Sequence, residues 1–383
     1  MIKVAIIQRR LAHYRLPLYE RIVANNPDIS LKLYCGPPEK SGGGSGIALA
    51  VQDPLYVKRV KTYSLSFLKK SLLVQPGVMR QLLRTRCDVL VCEGSPKLLT
   101  TIFILIGRRL TGARNVLWLK GWPNASLEGK VKRWLRTVFL RLAKAYIVYG
   151  EESKKRLLSY GIAGDRITIA QNTVAIEHLL DQKNGIVGRV IDHPVAQKIF
   201  DRGHPYILNI GRHIREKRVA DLLNAFAVLQ SNERFKDVEL VIAGSGPETN
   251  TLKRIAQELK LNNIHFAGSV PDHIAGALFL RSSCCVFPGA VGLALNQAMA
   301  CGKPVICANE PGPDSELLIH QCNGLRYQRG NIPELVDCMK SVLCDPVLQK
   351  SLGTAARETI KKTATMENMA KQYVAALRAS VMK

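Results

Sequence analysis

Residues 284–306 read CCVFPGAVGLALNQAMACGKPVI, an order of residue types that spells strand, glycine loop, helix, strand. Cys284, Cys285, Val286 and Phe287 form a short apolar run suited to a buried strand, and Pro288 with Gly289 ends it. Gly292 lets backbone come close to a bound group. Residues 293–301 then carry strong helix formers before Gly302 stops the helix. A helix opening just behind a glycine loop points unpaired N–H groups and the positive end of its dipole at the loop's occupant. The stretch therefore suits an anion such as a diphosphate. The same residues also fit an ordinary strand-to-helix joint, and the loop alone leaves both readings open.

The pattern repeats on either side. Residues 206–210 read as a strand leading into Gly211-Arg212 and then Lys217, with a helix at 219–229. Residues 238–243 form another strand that ends at a glycine turn, Gly244, and 264–270 a further one running to Val270. In the first half, strands at 3–7, 31–34, 88–92 and 145–149 alternate with helical stretches at 16–24 and 154–160. Such alternation predicts parallel sheets covered by helices. Residues 181–204 are polar and irregular and read as a linker. The expected division is thus 1–180, a linker at 181–204, 205–362, and a last helix at 363–383 that returns to the first domain. A glycine-rich loop at 37–46 reads as a surface loop or a lid.

The second half resembles the nucleotide-sugar-dependent glycosyltransferases of the GT-B fold, the large retaining group often called family 4 (glycosyl transferases group 1). Pro288, Gly292, Leu293, Ala298, Met299, Ala300, Gly302, Pro304, Val305 and Ile306 match that family's signature. Two of its glutamates fall instead at Gly289 and Gln297. Gly211-Arg212 followed by Lys217 matches G-R-x-x-x-x-K, and residues 266–270 match F-x-G-x-V. The resemblance implies two Rossmann-like α/β domains facing each other across a cleft. It implies Arg212 and Lys217 on the donor diphosphate, where charge grows as the nucleoside diphosphate leaves. It further implies a donor site lined by Gly211, Gly244, Gly292 and Leu293, with Gln297 at the ribose, Val270 at the base and Glu316 where the family has its G-G-x-x-E glutamate. His13 and Arg15 lie in a Tyr-Arg-x-Pro loop after the first strand, and Lys120 stands about where much of the family has a histidine. These three are the expected acceptor contacts. No metal and no cofactor is expected, the nucleoside-diphosphate sugar serving as co-substrate.

Composition narrows the partners. With 55 Lys and Arg against 30 Asp and Glu, the net charge is +25, which attracts nucleic acid, anionic membrane or phosphorylated ligands. No basic motif interleaved with aromatics is present to stack bases, so nucleic acid is not expected. Residues 128–144 place Val131, Trp134, Leu135, Val138 and Leu142 on one helical face and five cations largely elsewhere. Either this helix packs its apolar face on its own domain and solvates its charges, or the charged face also lies on an anionic membrane. Ten scattered cysteines lack metal-ligand spacing and read as free thiols in a reducing compartment. The N-terminus reads as a strand rather than a signal peptide, and residues 98–107 are too few to span a bilayer. The expectation is a cytoplasmic glycosyltransferase, peripheral on the inner face of the membrane, acting on a lipid-linked or polysaccharide acceptor. The missing glutamates leave open a catalytically weak member acting as a binding subunit, and the charge leaves open a basic membrane- or nucleic-acid-binding protein.

Overall fold

The computed structural model describes residues 1–37, 53–67, 70–84, 86–95, 97–111, 113–121, 125–180, 193–310, 312 and 315–382. These fall into two compact units, one built from residues up to 172 together with 366 onward, the other from 173–365. Most of the glycine-rich loop and residues 181–192 of the expected linker lie outside the described residues.

The first unit runs β1 (Ile2–Arg10), α1 (Leu16–Asn25), β2 (Ile29–Gly36), β3 (Val57–Arg59), β4 (Tyr63–Phe67), β5 (Lys70–Val74), α2 (Pro76–Arg84), β6 (Val89–Glu93), α3 (Leu99–Leu110), β7 (Arg114–Leu119), α4 (Lys130–Arg141), β8 (Ala145–Val148), α5 (Glu151–Leu158) and β9 (Ile167–Ile169). Seven of its strands make a parallel sheet in the order β3-β2-β1-β6-β7-β8-β9. The central strands are buried on both faces, which is why β1 and β6 read as continuous apolar runs rather than as alternation. The antiparallel β4-β5 hairpin stands outside that sheet and nothing in the alternating pattern anticipates it.

The second unit runs α6 (Glu177–Leu180), α7 (Pro194–Arg202), β10 (Tyr206–Ile210), α8 (Val219–Gln230), β11 (Glu239–Ala243), α9 (Thr249–Glu258), β12 (Ile264–Gly268), α10 (Asp272–Arg281), β13 (Cys284–Phe287), α11 (Ala294–Ala300), β14 (Val305–Ala308), β15 (Leu325–Tyr327), α12 (Ile332–Cys344) and α13 (Pro346–Thr363). Its six strands are all parallel, in the order β12-β11-β10-β13-β14-β15. Phe226, Leu240, Ile242, Val286, Ile306 and Met339 belong to one buried cluster that packs helices on this sheet. The last helix, α14 (Met366–Met382), belongs to the first unit and packs chiefly against α1.

Three expectations change. The second unit begins at residue 173 rather than after a linker ending at 204. Residues 194–202 are helical because Pro194 opens the helix, the His193 imidazole accepts a hydrogen bond from the Ala196 N–H, and Gly203 closes it at φ 68°. The third change concerns α4. Phe139 and Leu140 are its buried residues, while Val131 (73% exposed), Trp134 (63%), Leu135 (55%) and Val138 (42%) face solvent. Four of the five apolar residues found by periodicity thus point away from the core, and Leu142, at the end of the helix, packs on it.

Candidate functional site

In an open parallel sheet, ligands bind beyond the carboxyl ends of the strands at the point where strand order reverses. In the second unit that point is β10, whose neighbours are β11 on one side and β13 on the other. The segments leaving β10, β11 and β13 carry Gly211 to Lys217, Gly244 and Gly289 to Leu293. The topology thus gathers most of the expected donor residues at one place.

Contacts between these segments explain their residue types. The Gly211 N–H donates to the Ala243 carbonyl (3.0 Å), extending the β10–β11 ladder past its end. Gly244 lies at φ 126°, and a Cβ there would stand 1.8 Å from the Gly211 oxygen, so only glycine fits. The His213 and Glu248 N–H groups donate to the Ser245 and His213 carbonyls (both 3.0 Å). The His213 ring is buried, with Nδ1 2.9 Å from the Thr249 hydroxyl, and burial holds its pKa below the ordinary histidine value.

The turn after β10 interlocks with the loop after β13. The Lys217 ammonium donates to the Ala290 carbonyl at 2.6 Å, and the Ala290 N–H donates to the Glu216 carbonyl at 2.8 Å. A Cβ on Gly292 would stand 3.3 Å from the Lys217 ammonium. A Cβ on Gly289 would stand 2.3 Å from the Glu216 oxygen and 2.8 Å from the Lys217 carbonyl carbon. Backbone therefore occupies the space a side chain at 289 would need, which accounts for glycine where the related signature has glutamate. Arg212 is exposed beside this turn and Lys217 is half-buried in it.

The remaining donor candidates sit around these segments. Gln297 is half-buried on α11, one turn past Leu293. Val270 follows β12, beside Ser269, whose hydroxyl lies 2.8 Å from that of Ser245. The Gly244 N–H donates to the Gly268 carbonyl at 2.6 Å and ties that strand end to the Gly244 turn. Glu316 lies in the short 3-10 turn Ser315–Leu317. Arg326 of β15 braces that turn by donating to the Ser315 and Leu318 carbonyls (2.8 Å for the latter) and to the Asn309 amide oxygen (3.2 Å). Sequence reading missed Arg326, whose role depends on a fold that brings Asn309, Ser315 and Leu318 to it.

In the first unit, His13 and Lys120 are exposed beyond the carboxyl ends of β1 and β7. Arg15 is not available in that way and the expectation for it is corrected. It is 5% exposed, donates to the Asn172 amide oxygen (2.5 Å), and sits over the rings of Trp118, Tyr14 and Tyr149 at 4.9, 5.1 and 5.4 Å. Its second nitrogen lies 3.6 Å from the Met369 sulfur on α14. An aromatic cage satisfies the buried cation and makes it a structural tie. A pair that sequence reading missed lies nearby in the fold: at the carboxyl ends of β1 and β6, Arg9 donates its backbone N–H and its Nε to the Glu93 carboxylate at 3.0 and 2.6 Å.

Comparison with known proteins adds to this geometry. Residues 194–359 match the family model described as glycosyl transferases group 1. The chain is 28% identical over 170 residues to the N-acetyl-alpha-D-glucosaminyl L-malate synthase of Bacillus anthracis, covering 44% of this chain and 43% of that one. It is 31% identical over 121 residues to the O-antigen chain mannosyltransferase B of Escherichia coli, covering 30% and 32%. The aligned parts thus span less than half the length of these relatives. Over its whole length the fold is similar to that of Anabaena HepE in complex with UDP, with a TM-score of 0.73 at 15% identity, covering 99% of this chain and 100% of that one. Residues 194–359, within the second unit, thus carry a domain of the glycosyl transferases group 1 type, and the fold over the whole chain is that of the GT-B glycosyltransferases.

Proposed function

We propose that the protein is a retaining glycosyltransferase that moves a sugar from a nucleoside-diphosphate sugar to a hydroxyl of a lipid-linked or polysaccharide acceptor in cell-surface glycan biosynthesis. The observation that carries this reading is the pair Arg212 and Lys217 on the turn after β10, interlocked with the loop at Gly289 to Gly292. As the glycosidic bond to the donor breaks, negative charge accumulates on the leaving diphosphate, and fixed cations beside it lower the barrier. The Ala290 carbonyl holds the Lys217 ammonium in place before substrate arrives, so little reorganisation accompanies the reaction. These two cations take the electrostatic role that a metal has in other transferases. Gln297 hydrogen-bonds the ribose hydroxyls, Gly244 and Val270 flank the base, and Glu316 lies toward the donor sugar. His13 and Lys120 contact the acceptor, Lys120 at a phosphate. The strongly basic first unit keeps the protein on the inner face of an anionic membrane, where such acceptors are made.

The experiment that tests this is protection against thermal unfolding by a panel of UDP-, GDP- and other nucleotide sugars, followed by calorimetric Kd for the best one. Binding of at least one donor is expected. Gln297→Glu should keep it, since both side chains accept hydrogen bonds from hydroxyls, and Gln297→Leu should weaken it about tenfold. The absence of glutamates at 289 and 297 favours one other reading, a catalytically weak partner subunit, and wild-type failure to bind any nucleotide or nucleotide sugar would favour it over the transferase.

A further inference from the structure

The outward stripe of α4 carries an inference that rests on the membrane reading above and goes further, to the element that docks and how. At about 100° per residue, Val131, Trp134, Leu135 and Val138 fall within one sector of about 100°. Of the two residues that hold the helix to the core, Leu140 lies opposite that sector and Phe139 borders it beside Leu135. Lys130 and Arg141 edge the exposed sector on one flank and Lys132 on the other, all three exposed, and Leu127 on the preceding turn adds another exposed apolar side chain. Single exposed apolar residues are ordinary, but a contiguous stripe along about two helical turns needs an occupant. Glu128, the acid of this helix's lead-in among the described residues, has its side chain buried, the carboxylate 2.6 Å from the Arg136 guanidinium, 2.5 Å from the Tyr160 hydroxyl and 3.4 Å from the Lys132 ammonium, which itself stays largely exposed. Arg136 is therefore largely an internal partner, and the rim of the stripe presents cations only. A second copy of this chain would bring like charges against that rim. An anionic bilayer complements both the rim and the stripe.

We propose that α4 is an interfacial anchor: Val131, Trp134, Leu135 and Val138 enter the boundary between headgroups and acyl chains while Lys130, Lys132 and Arg141 lie at the phosphate level. Attachment by charge alone would vanish as salt screens it, whereas an inserted stripe leaves a fraction bound at high salt. The test uses the full chain with vesicles of phosphatidylglycerol and phosphatidylcholine, and of phosphatidylcholine alone. Wild type should bind the anionic vesicles, keep part of that binding at high salt, and show a blue shift of tryptophan emission that Trp134→Phe abolishes. Val131→Ser with Leu135→Ser should reduce partitioning at least tenfold and remove the salt-resistant fraction, while Lys130→Glu with Arg141→Glu should weaken binding mainly at low salt. Both double variants alter exposed side chains and should keep wild-type melting temperatures. Equal partitioning by wild type and the serine variant, or no emission shift, overturns the anchor. So does stripe-dependent dimerisation in sedimentation without vesicle binding, which would make a second copy the occupant. Donor protection is read on the other unit, so loss of donor binding with vesicle binding intact would break the proposed activity and leave the anchor standing.

Discussion

Residues 1–172 together with 366–383 hold 33 Lys and Arg against 11 Asp and Glu, whereas residues 173–365 hold 22 against 19. The first unit thus carries +22 of the net +25. Among the described residues, 16 of the 19 large apolar side chains exposed to solvent also belong to it, and only Val228, Ile319 and Val347 to the second. The strand plans are closely similar, each with a reversal at its first strand, so fold does not cause the difference. The donor site proposed for the second unit calls for fixed cations at one turn and a close-packed glycine floor, demands that leave its outer surface ordinary. The first presents charge and apolar area together, which suits a surface rather than a small molecule.

The largest expected effect would place the chemistry in one unit alone. Arg212→Ala and Lys217→Ala should each lower turnover by about 10²–10³-fold, as loss of a charge-stabilising donor does, with unchanged vesicle binding. Near-native turnover in both would break the assignment. On the other side, Arg15→Ala should destabilise the protein by about 2–4 kcal/mol, since the aromatic cage loses its cation and packing. Arg15→Lys should not restore it, because lysine lacks the planar fork. Donor Kd should not move, and a loss of acceptor turnover without loss of melting temperature would return Arg15 to the acceptor site. Next, Gly289→Glu, which restores the related signature, should cost about 2 kcal/mol or more and weaken donor binding, because its Cβ meets the Glu216 carbonyl. A tighter donor Kd in that variant would mean that the turn yields. The smallest effect is on pH. Because burial lowers the His213 pKa, the unfolded chain binds a proton near pH 6.5 that the folded chain does not. Stability is then full above about pH 6.5 and falls below it, with a slope of at most about 1.4 kcal/mol per pH unit from this group. Denaturant midpoints between pH 5 and 8 should show a shallower decline for His213→Gln than for wild type.

What could be read from sequence follows the same division. Gly244 and Gly289 announce themselves because backbone contact there forbids any side chain, and a steric demand leaves its mark on residue type. Arg212 and Lys217 are legible from spacing, since one short turn presents both. Arg15 is not, because its partners Trp118, Tyr149, Asn172 and Met369 come from segments far apart in the chain. In α4, periodicity establishes that an apolar face exists without saying which way it turns, and the usual assumption that it faces the core fails. The helix at 194–202 was hidden by its polar surroundings, although Pro194 and Gly203 mark both its ends.

The position of α14 bears on the order in which the molecule can assemble. Met366, Met369, Tyr373, Val374 and Leu377 are buried within a unit whose other residues are all made before residue 173. Met369 lies 3.6 Å from the Arg15 guanidinium and Tyr373 meets Trp118 edge-on at 5.2 Å, so the surroundings of Arg15 are completed only when α14 emerges. At synthesis rates of roughly 5–20 residues per second, residues 173–365 separate those events by about 10–40 s. The first unit therefore waits on the ribosome with an open apolar seam along α1 while the second, whose strands are contiguous in the chain, is free to fold ahead of it.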